Sequence, residues 1–206
     1  WNIKDVFPSL TAMRMVKDET EVNAIVRANE ITAEGVKAMM RAMAPGKREM
    51  ELEGVFMLEL MKQGCKQTAF STIAASGKNA TVLHYGENTD FCREGDLFLC
   101  DLGATYGCYC ADISRTFPVN GKFTERQRAI YECVLKAQQI VEDNCRPGIT
   151  TRQLNQLVID HYADELPKLG LNGPVSEYYY HGVAHHLGLD THDVTLMESV
   201  LAPGHV

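Results

Sequence analysis

The sequence DLFLCDLGATYGCYCADISRTFPV, residues 96–119, predicts two β-strands around a short turn. The first strand is the apolar run 97–102, and the second, 108–119, is rich in aromatic and β-branched residues. Gly107 can adopt the positive φ that a tight hairpin turn requires. If Tyr106 and Gly107 are the two loop residues, Asp101 lies directly opposite Asp112.

Two acids directly opposite each other would need a nearby positive charge for both to stay ionised. Directly opposed side chains on one face have Cβ atoms about 4.5–5.5 Å apart. Carboxylates at that distance repel each other unless one is protonated or a cation lies between them. Because the run around Asp101 is apolar, a bridging metal ion is one hypothesis. The alternative is that the acid is a turn or cap residue, since a turn one residue longer would place the two acids on opposite faces.

Composition limits the classes of function. A length of 206 residues fits one domain or one and a half, and 45% hydrophobic with 23% charged residues is ordinary for a soluble globular protein. The net charge of −7 argues against nucleic-acid and anionic-membrane partners. No apolar run is long enough to span a membrane, and no signal peptide is visible.

The seven cysteines are odd in number, contain no CxxC pair and lie mostly in apolar runs. This pattern predicts reduced, buried thiols and a cytoplasmic protein. Cys108 and Cys110 share a strand face with Asp112, so a thiol-ligated zinc protein that also uses Cys100 is a weaker alternative.

Helical signals flank the strands. The predicted elements are a helix from the capping box at Asp18 to before Pro45, a helix over 48–63, a strand over 71–77, a helix from the capping box at Thr124 to about Cys145, and a helix from Thr150 or Thr151 to about Leu166. The order of helix pair, strands, helix pair and strands predicts an α+β fold with mainly antiparallel strands. Residues 1–12, with Pro8 as a breaker, are predicted to be a linker or the end of an N-terminal domain, and 13–206 a single partial domain.

Four histidines fall within residues 181–192: His181, His185, His186 and His192. Histidine is the commonest metal ligand and titrates near neutrality. In an extended stretch His181 and His185 would point to one face, although clustered histidines also occur as surface decoration.

Four segments carry a resemblance to a known family: RMVKDETEV (14–22), VLHYGEN (82–88), DLGATYGCYCADISRTFPVNGKFTERQ (101–127) and HGVAHHLGLDTHDV (181–194). In this order they closely resemble the catalytic domain of the Xaa-Pro aminopeptidases (aminopeptidase P). These belong to the pita-bread (creatinase/aminopeptidase) metallopeptidases, with prolidase and methionine aminopeptidase as relatives. The resemblance implies the pita-bread fold, a mainly antiparallel sheet with helices on its outer face. It also implies hydrolysis of the N-terminal Xaa-Pro peptide bond by water activated at two metal ions.

The resemblance further implies a ligand set of two Asp, one His and two Glu around two divalent ions, usually Mn²⁺, with Zn²⁺ or Co²⁺ also compatible. The matching metal ligands are Asp101, Asp112 and His185, with Asp112 bridging the ions. His84, His181 and His192 match the catalytic histidines that line the substrate site. His186 matches a variable position and receives no role.

The chain departs from this pattern at its end. The two Glu ligands are expected in strands that follow a Pro-Gly segment, and Ala202 stands where many members have Glu before it. We therefore expect the C-terminal strands to be missing and the isolated fragment to be inactive, with weak metal binding or none.

The resemblance leaves the wider function partly open. We expect peptide substrates with Pro at the second position and a homodimer or higher homo-oligomer. The alternatives are an Xaa-Pro dipeptidase (prolidase) and a non-catalytic binding protein on the same fold.

Overall fold

A computed structural model describes residues 3–196 and 200–206. They form two compact units. The hairpin unit comprises Asp18–Phe123 and Leu187–Asp193, and the helical unit comprises the described parts of Trp1–Lys17, Thr124–His186 and Val194–Val206. Among the described helices, none is both long and apolar enough to cross a bilayer.

The main elements follow one another in a helix–strand–helix order. They are α1 Phe7–Met15, α2 Glu19–Ala42, α3 Glu49–Lys62, β1 Ile73–Ser76, β2 Leu97–Leu102, β3 Thr105–Tyr106, β4 Tyr109–Cys110, β5 Ile113–Pro118, α4 Glu125–Asn144 and α5 Thr151–Glu165. The predicted capping boxes are confirmed. Asp18 accepts a hydrogen bond from the Glu21 backbone N–H at 2.9 Å, and the backbone N–H of Asp18 donates to Glu21 at 2.8 Å. Thr124 and Gln127 do the same at the start of α4.

Pro8 begins a helix instead of breaking one. It lies in the first turn of α1, where a backbone N–H has no helical acceptor, so its missing N–H costs no hydrogen bond. The helix crosses the predicted boundary between residues 12 and 13. Residues 1 and 2 of the predicted linker lie outside the described residues.

The hairpin is present, but its register differs from the prediction. Gly107 and Cys108 form the two-residue loop, because Tyr106 pairs with Tyr109. Both loop residues have positive φ, 57° and 70°, as a type I′ turn requires. Asp101 is therefore opposite Ser114, and the predicted direct opposition of Asp101 and Asp112 is wrong.

The sheet of the hairpin unit is antiparallel, in the order β1-β2-β5, with β3 and β4 as a separate two-stranded extension of the hairpin. Helices α2 and α3 pack together and against this sheet. The shared core is buried and includes Met39 of α2 and Phe56 of α3, both fully buried. The cross-strand partners Phe98 and Phe117 also belong to it, with ring centroids 5.5 Å apart.

The core of the helical unit lies between α4 and α5. Its buried residues include Ala137, Val158 and Tyr162, and the Tyr179 ring packs edge-on to Tyr162 at 5.4 Å. The strands predicted after the second helix pair do not form within the described residues, where Val200 and His205 make only isolated bridges.

Candidate active site

One cavity of about 390 Å³ in the hairpin unit brings together four of the six predicted site residues. Asp101, Asp112, His84 and His192 all line it. Apolar side chains, among them Ile73, complete the wall. The cavity thus combines two acids and two imidazoles with an apolar surface.

Asp101 is placed by the sheet. It sits near the end of the central strand β2, between Ile73 of β1 and Ser114 of β5. The Ser114 hydroxyl donates a hydrogen bond of 2.8 Å to Oδ1 of Asp101, which fixes the carboxylate's orientation. Ser114 escaped the sequence analysis because its position opposite Asp101 depends on the observed turn.

Asp112 is placed by an interruption of the hairpin between β4 and β5. The two-residue shift of register preserves the alternation of faces, so Asp101 and Asp112 still share a cavity. At the interruption Gly103 approaches the chain so closely that a Cβ on it would lie 1.7 Å from the Ala111 carbonyl oxygen. Glycine is therefore required at 103, between the two acids.

His84 and His192 come from irregular segments that are tied to the sheet. His84 is exposed to the cavity, whereas the next residue, Tyr85, is buried. The segment that carries His192 is tied down by the Cys110 backbone N–H, which donates to Gly188 at 2.8 Å. Neither imidazole projects from a helix or a strand.

His181 and His185 belong to the helical unit, and each lies in the irregular stretch after residue 178. Nδ1 of His185 is 3.0 Å from the His186 carbonyl oxygen, and Nδ1 of His181 is 2.8 Å from that of Gly182. A carbonyl oxygen only accepts, so in the neutral rings Nδ1 carries the proton and Nε2 the lone pair. That tautomer is the one a metal-ligating or proton-accepting Nε2 requires. His186, which received no role, is buried and contacts the Val206 carbonyl oxygen.

The thiolate alternative is not supported. Burial raises the pKa of Cys100 to about 12, and it also raises the pKa of Cys110. Zinc is bound by the thiolate, which such pKa values disfavour. All seven cysteines are free, and four of them are buried, as predicted for reduced core thiols.

The two carboxylates in the cavity wall are suitable ligands for hard divalent metal ions. Carboxylate oxygens such as those of Asp101 and Asp112 suit Mn²⁺ and similar cations. Within residues 3–196 and 200–206, no three His, Cys, Asp or Glu side chains are grouped closely enough to hold a metal ion. On their own, the two acids could contribute at most part of a ligand set.

The chain is similar to known metallopeptidases in both sequence and structure. The model of Metallopeptidase family M24 matches residues 23–206. The Xaa-Pro aminopeptidase of Haemophilus influenzae is 40% identical over 202 residues, covering 93% of this chain and 47% of that protein. The Xaa-Pro dipeptidase of Mus musculus is 35% identical over 202 residues, covering 91% and 41%. The structure of zinc-substituted Escherichia coli aminopeptidase P in complex with product matches with 39% identity and a TM-score of 0.93, covering 98% of this chain and 49% of that one. The chain spans about half the length of the curated relatives it matches.

Proposed function

Because this chain belongs to Metallopeptidase family M24, we propose that the protein hydrolyses the N-terminal Xaa-Pro bond of peptides with the help of divalent metal ions. The family membership and the pita-bread fold predicted from the sequence are confirmed. The observation that carries the proposed activity is the placement of Asp101, Asp112, His84 and His192 around one cavity.

Asp101, Asp112 and His185 are the residues that would hold the ions, with Mn²⁺ as the proposed metal and two ions as the proposed number. Divalent ions at such a site polarise a carbonyl group and lower the pKa of water. Ser114 keeps the Asp101 carboxylate oriented, and the tautomer of His185 leaves Nε2 as its ligand atom.

The three other candidate histidines and the apolar wall of the cavity are proposed to bind the substrate. The ring N–H groups of His84 and His192 are proposed to donate hydrogen bonds to the negative charge that develops on the scissile carbonyl oxygen. Losing one donor of this kind typically costs about 3 kcal/mol of transition-state stabilisation. His181 already donates its Nδ1–H to the Gly182 carbonyl, so it is proposed to accept and pass on protons through Nε2. Proline offers no N–H, so its ring must be recognised by shape and apolar contact, for which Ile73 and its apolar neighbours provide a surface.

The test is hydrolysis of an Xaa-Pro-Xaa tripeptide by the protein at its natural length, with and without Mn²⁺. We expect release of the first residue that depends on the metal and falls by roughly 100-fold in His84→Ala. Hydrolysis that persists at the wild-type rate after exhaustive chelation would overturn the proposal.

A second candidate is Xaa-Pro dipeptidase activity, which the 35% identity to the mouse dipeptidase favours. The two activities differ in whether the substrate's proline carboxylate is free. Comparing Gly-Pro with a Gly-Pro-Xaa peptide separates them, because an aminopeptidase prefers the longer substrate. A homo-oligomeric state and a cytoplasmic location remain predictions, and light scattering on the purified protein tests the first.

A further inference from the structure

The hairpin unit also contains a fully buried acid, Glu49, that does not line the cavity. Glu49 is the first residue of α3. Its Oε1 accepts hydrogen bonds from the Ser76 backbone N–H at 2.7 Å and the Asn79 amide at 3.1 Å. Its Oε2 accepts from the Tyr85 hydroxyl at 2.7 Å and the Asp90 backbone N–H at 2.9 Å.

All four donors come from one segment, residues 76–90, and that segment carries His84. Ser76 ends β1, a short 3₁₀ turn follows over Gly77–Thr81, and residues 82–90 contain no helix or strand. An irregular segment has few backbone hydrogen bonds of its own, so side chains must fix its position. The Glu49 carboxylate is the common acceptor at which this segment converges.

Tyr85 connects Glu49 to the site. Its ring is buried and lines the same cavity as its neighbour His84. Burial, followed by the hydrogen bond to the Glu49 carboxylate, raises the pKa of Tyr85. The hydroxyl consequently remains a donor at neutral and moderately alkaline pH, and the Tyr85–Glu49 bond holds the backbone from which His84 projects.

A second set of hydrogen bonds, made by Asn88, ties the segment to β1 and to α3 one helical turn beyond Glu49. Asn88 is buried and has a positive φ of 49°. Its amide oxygen accepts from the Ala74 backbone N–H at 3.0 Å, and its amide nitrogen donates to the Thr72 carbonyl at 2.8 Å and to Glu53 at 3.0 Å. Residues 76–90 are thus tied to α3 at two successive turns, through Glu49 and through Glu53.

We propose that Glu49 is a positioning residue for His84, acting through Tyr85 to hold the imidazole at the cavity. The inference rests on the proposed function, in which His84 contacts the substrate. Glu49 itself does not line the cavity, so its effect on catalysis must pass through the segment that it anchors. A misplacement of a reacting group by about 1 Å can reduce the rate by roughly 100-fold.

The experiment is a double-mutant cycle in the Mn²⁺-loaded protein at its natural length. Glu49→Gln replaces one acceptor oxygen with a donor amide, and Tyr85→Phe removes only the hydroxyl. Glu87→Gln is the matched control, because it removes the same charge from an exposed residue of the same segment. We expect Glu49→Gln to lower kcat/KM for an Xaa-Pro tripeptide by about 10- to 100-fold when His84 is present. In a His84→Ala background the same substitution is expected to change kcat/KM by less than about 3-fold, since a positioning effect needs the residue it positions.

An equal loss in both backgrounds, or no loss in a folded Glu49→Gln protein, would overturn the positioning role. If Glu49→Gln does not fold, Tyr85→Phe takes its place in the cycle. A ring-¹³C-labelled histidine spectrum gives a readout that does not need activity. The His84 signal, assigned by its disappearance in His84→Ala, is expected to move in Glu49→Gln and Tyr85→Phe but not in Glu87→Gln. If the wild-type protein hydrolyses no Xaa-Pro peptide, the proposed function fails, and an unmoved His84 signal would separately refute the positioning.

Discussion

Replacing Gly103 with alanine tests whether the interruption between the two acids needs a glycine. The added Cβ would lie 1.7 Å from the Ala111 carbonyl oxygen and 3.2 Å from the Ala69 Cβ. The first contact is with backbone, so the strands must separate. The hydrogen bonds at risk are Ala69 N–H to Gly103 at 2.8 Å and Ala111 N–H to Ala104 at 2.9 Å.

The size of the effect follows from these two hydrogen bonds. Leaving a buried backbone group without a partner costs about 1–3 kcal/mol, so loss of both hydrogen bonds predicts a decrease of about 2–6 kcal/mol in the free energy of unfolding. Urea denaturation of Gly103→Ala against wild type measures it. Gly54→Ala is the control, because a Cβ there meets nothing within 4 Å and alanine favours a helix by about 1 kcal/mol. A Gly103→Ala protein within about 0.5 kcal/mol of wild type, an ordinary surface effect, would refute the reasoning.

Three further predictions concern local contacts. Thr32→Val removes the buried hydroxyl that accepts a hydrogen bond from the Ala104 N–H at 2.9 Å. Urea denaturation is expected to show a loss of about 1–3 kcal/mol in the free energy of unfolding, and an unchanged midpoint would contradict this. Asp18→Ala breaks a capping box and should cost about 1 kcal/mol in the same assay, with an equal or greater stability arguing against it. The cysteine thiolate attacks disulfide reagents, and the exposed Cys108 should be accessible to such a reagent in the native protein. Cys100, with its pKa raised to about 12, should react only on unfolding, and its rapid native labelling would disprove its burial.

Local signals in the sequence were sufficient for helices α2 to α5, whereas α1 was missed because Pro8 was interpreted as a breaker. The capping boxes at Asp18 and Thr124 are formed by residues three positions apart, so they do not depend on the rest of the fold. The apolar run 97–102 likewise identifies the strand β2, and the structure buries every second residue of it. These elements, the α+β class and the pairing of β2 with β5 were predictable without tertiary information.

The register of the hairpin was not predictable in the same way. A type I′ turn needs positive φ at both central residues, and only Gly107 signals it, because Cys108 is not a residue that usually adopts this conformation. Gly107 can occupy either central position, so the sequence is compatible with two registers that differ by two residues. The acids kept a common face only because that difference is even.

The hydrogen bonds around Glu49 could not be predicted from the sequence, for a different reason. An acid in the first turn of a helix is ordinarily explained by the helix dipole and by solvent exposure. Its burial depends on residues 76–90 folding over it, which no periodicity in that segment indicates. The same holds for His181 and His185, whose irregular segment has no regular backbone from which their directions can be inferred.

We propose that Asp101 and Asp112 hold catalytic metal. The direct test uses Asp112→Asn in the protein at its natural length, with Glu87→Gln as a control for the lost charge. It measures bound Mn²⁺ per chain together with the rate of Xaa-Pro tripeptide hydrolysis. Changes to residues that merely support a ligand cost about 10- to 100-fold, so loss of a ligand should reduce hydrolysis by more than about 100-fold, with a parallel loss of bound Mn²⁺. Wild-type metal content and wild-type hydrolysis in Asp112→Asn would contradict the account.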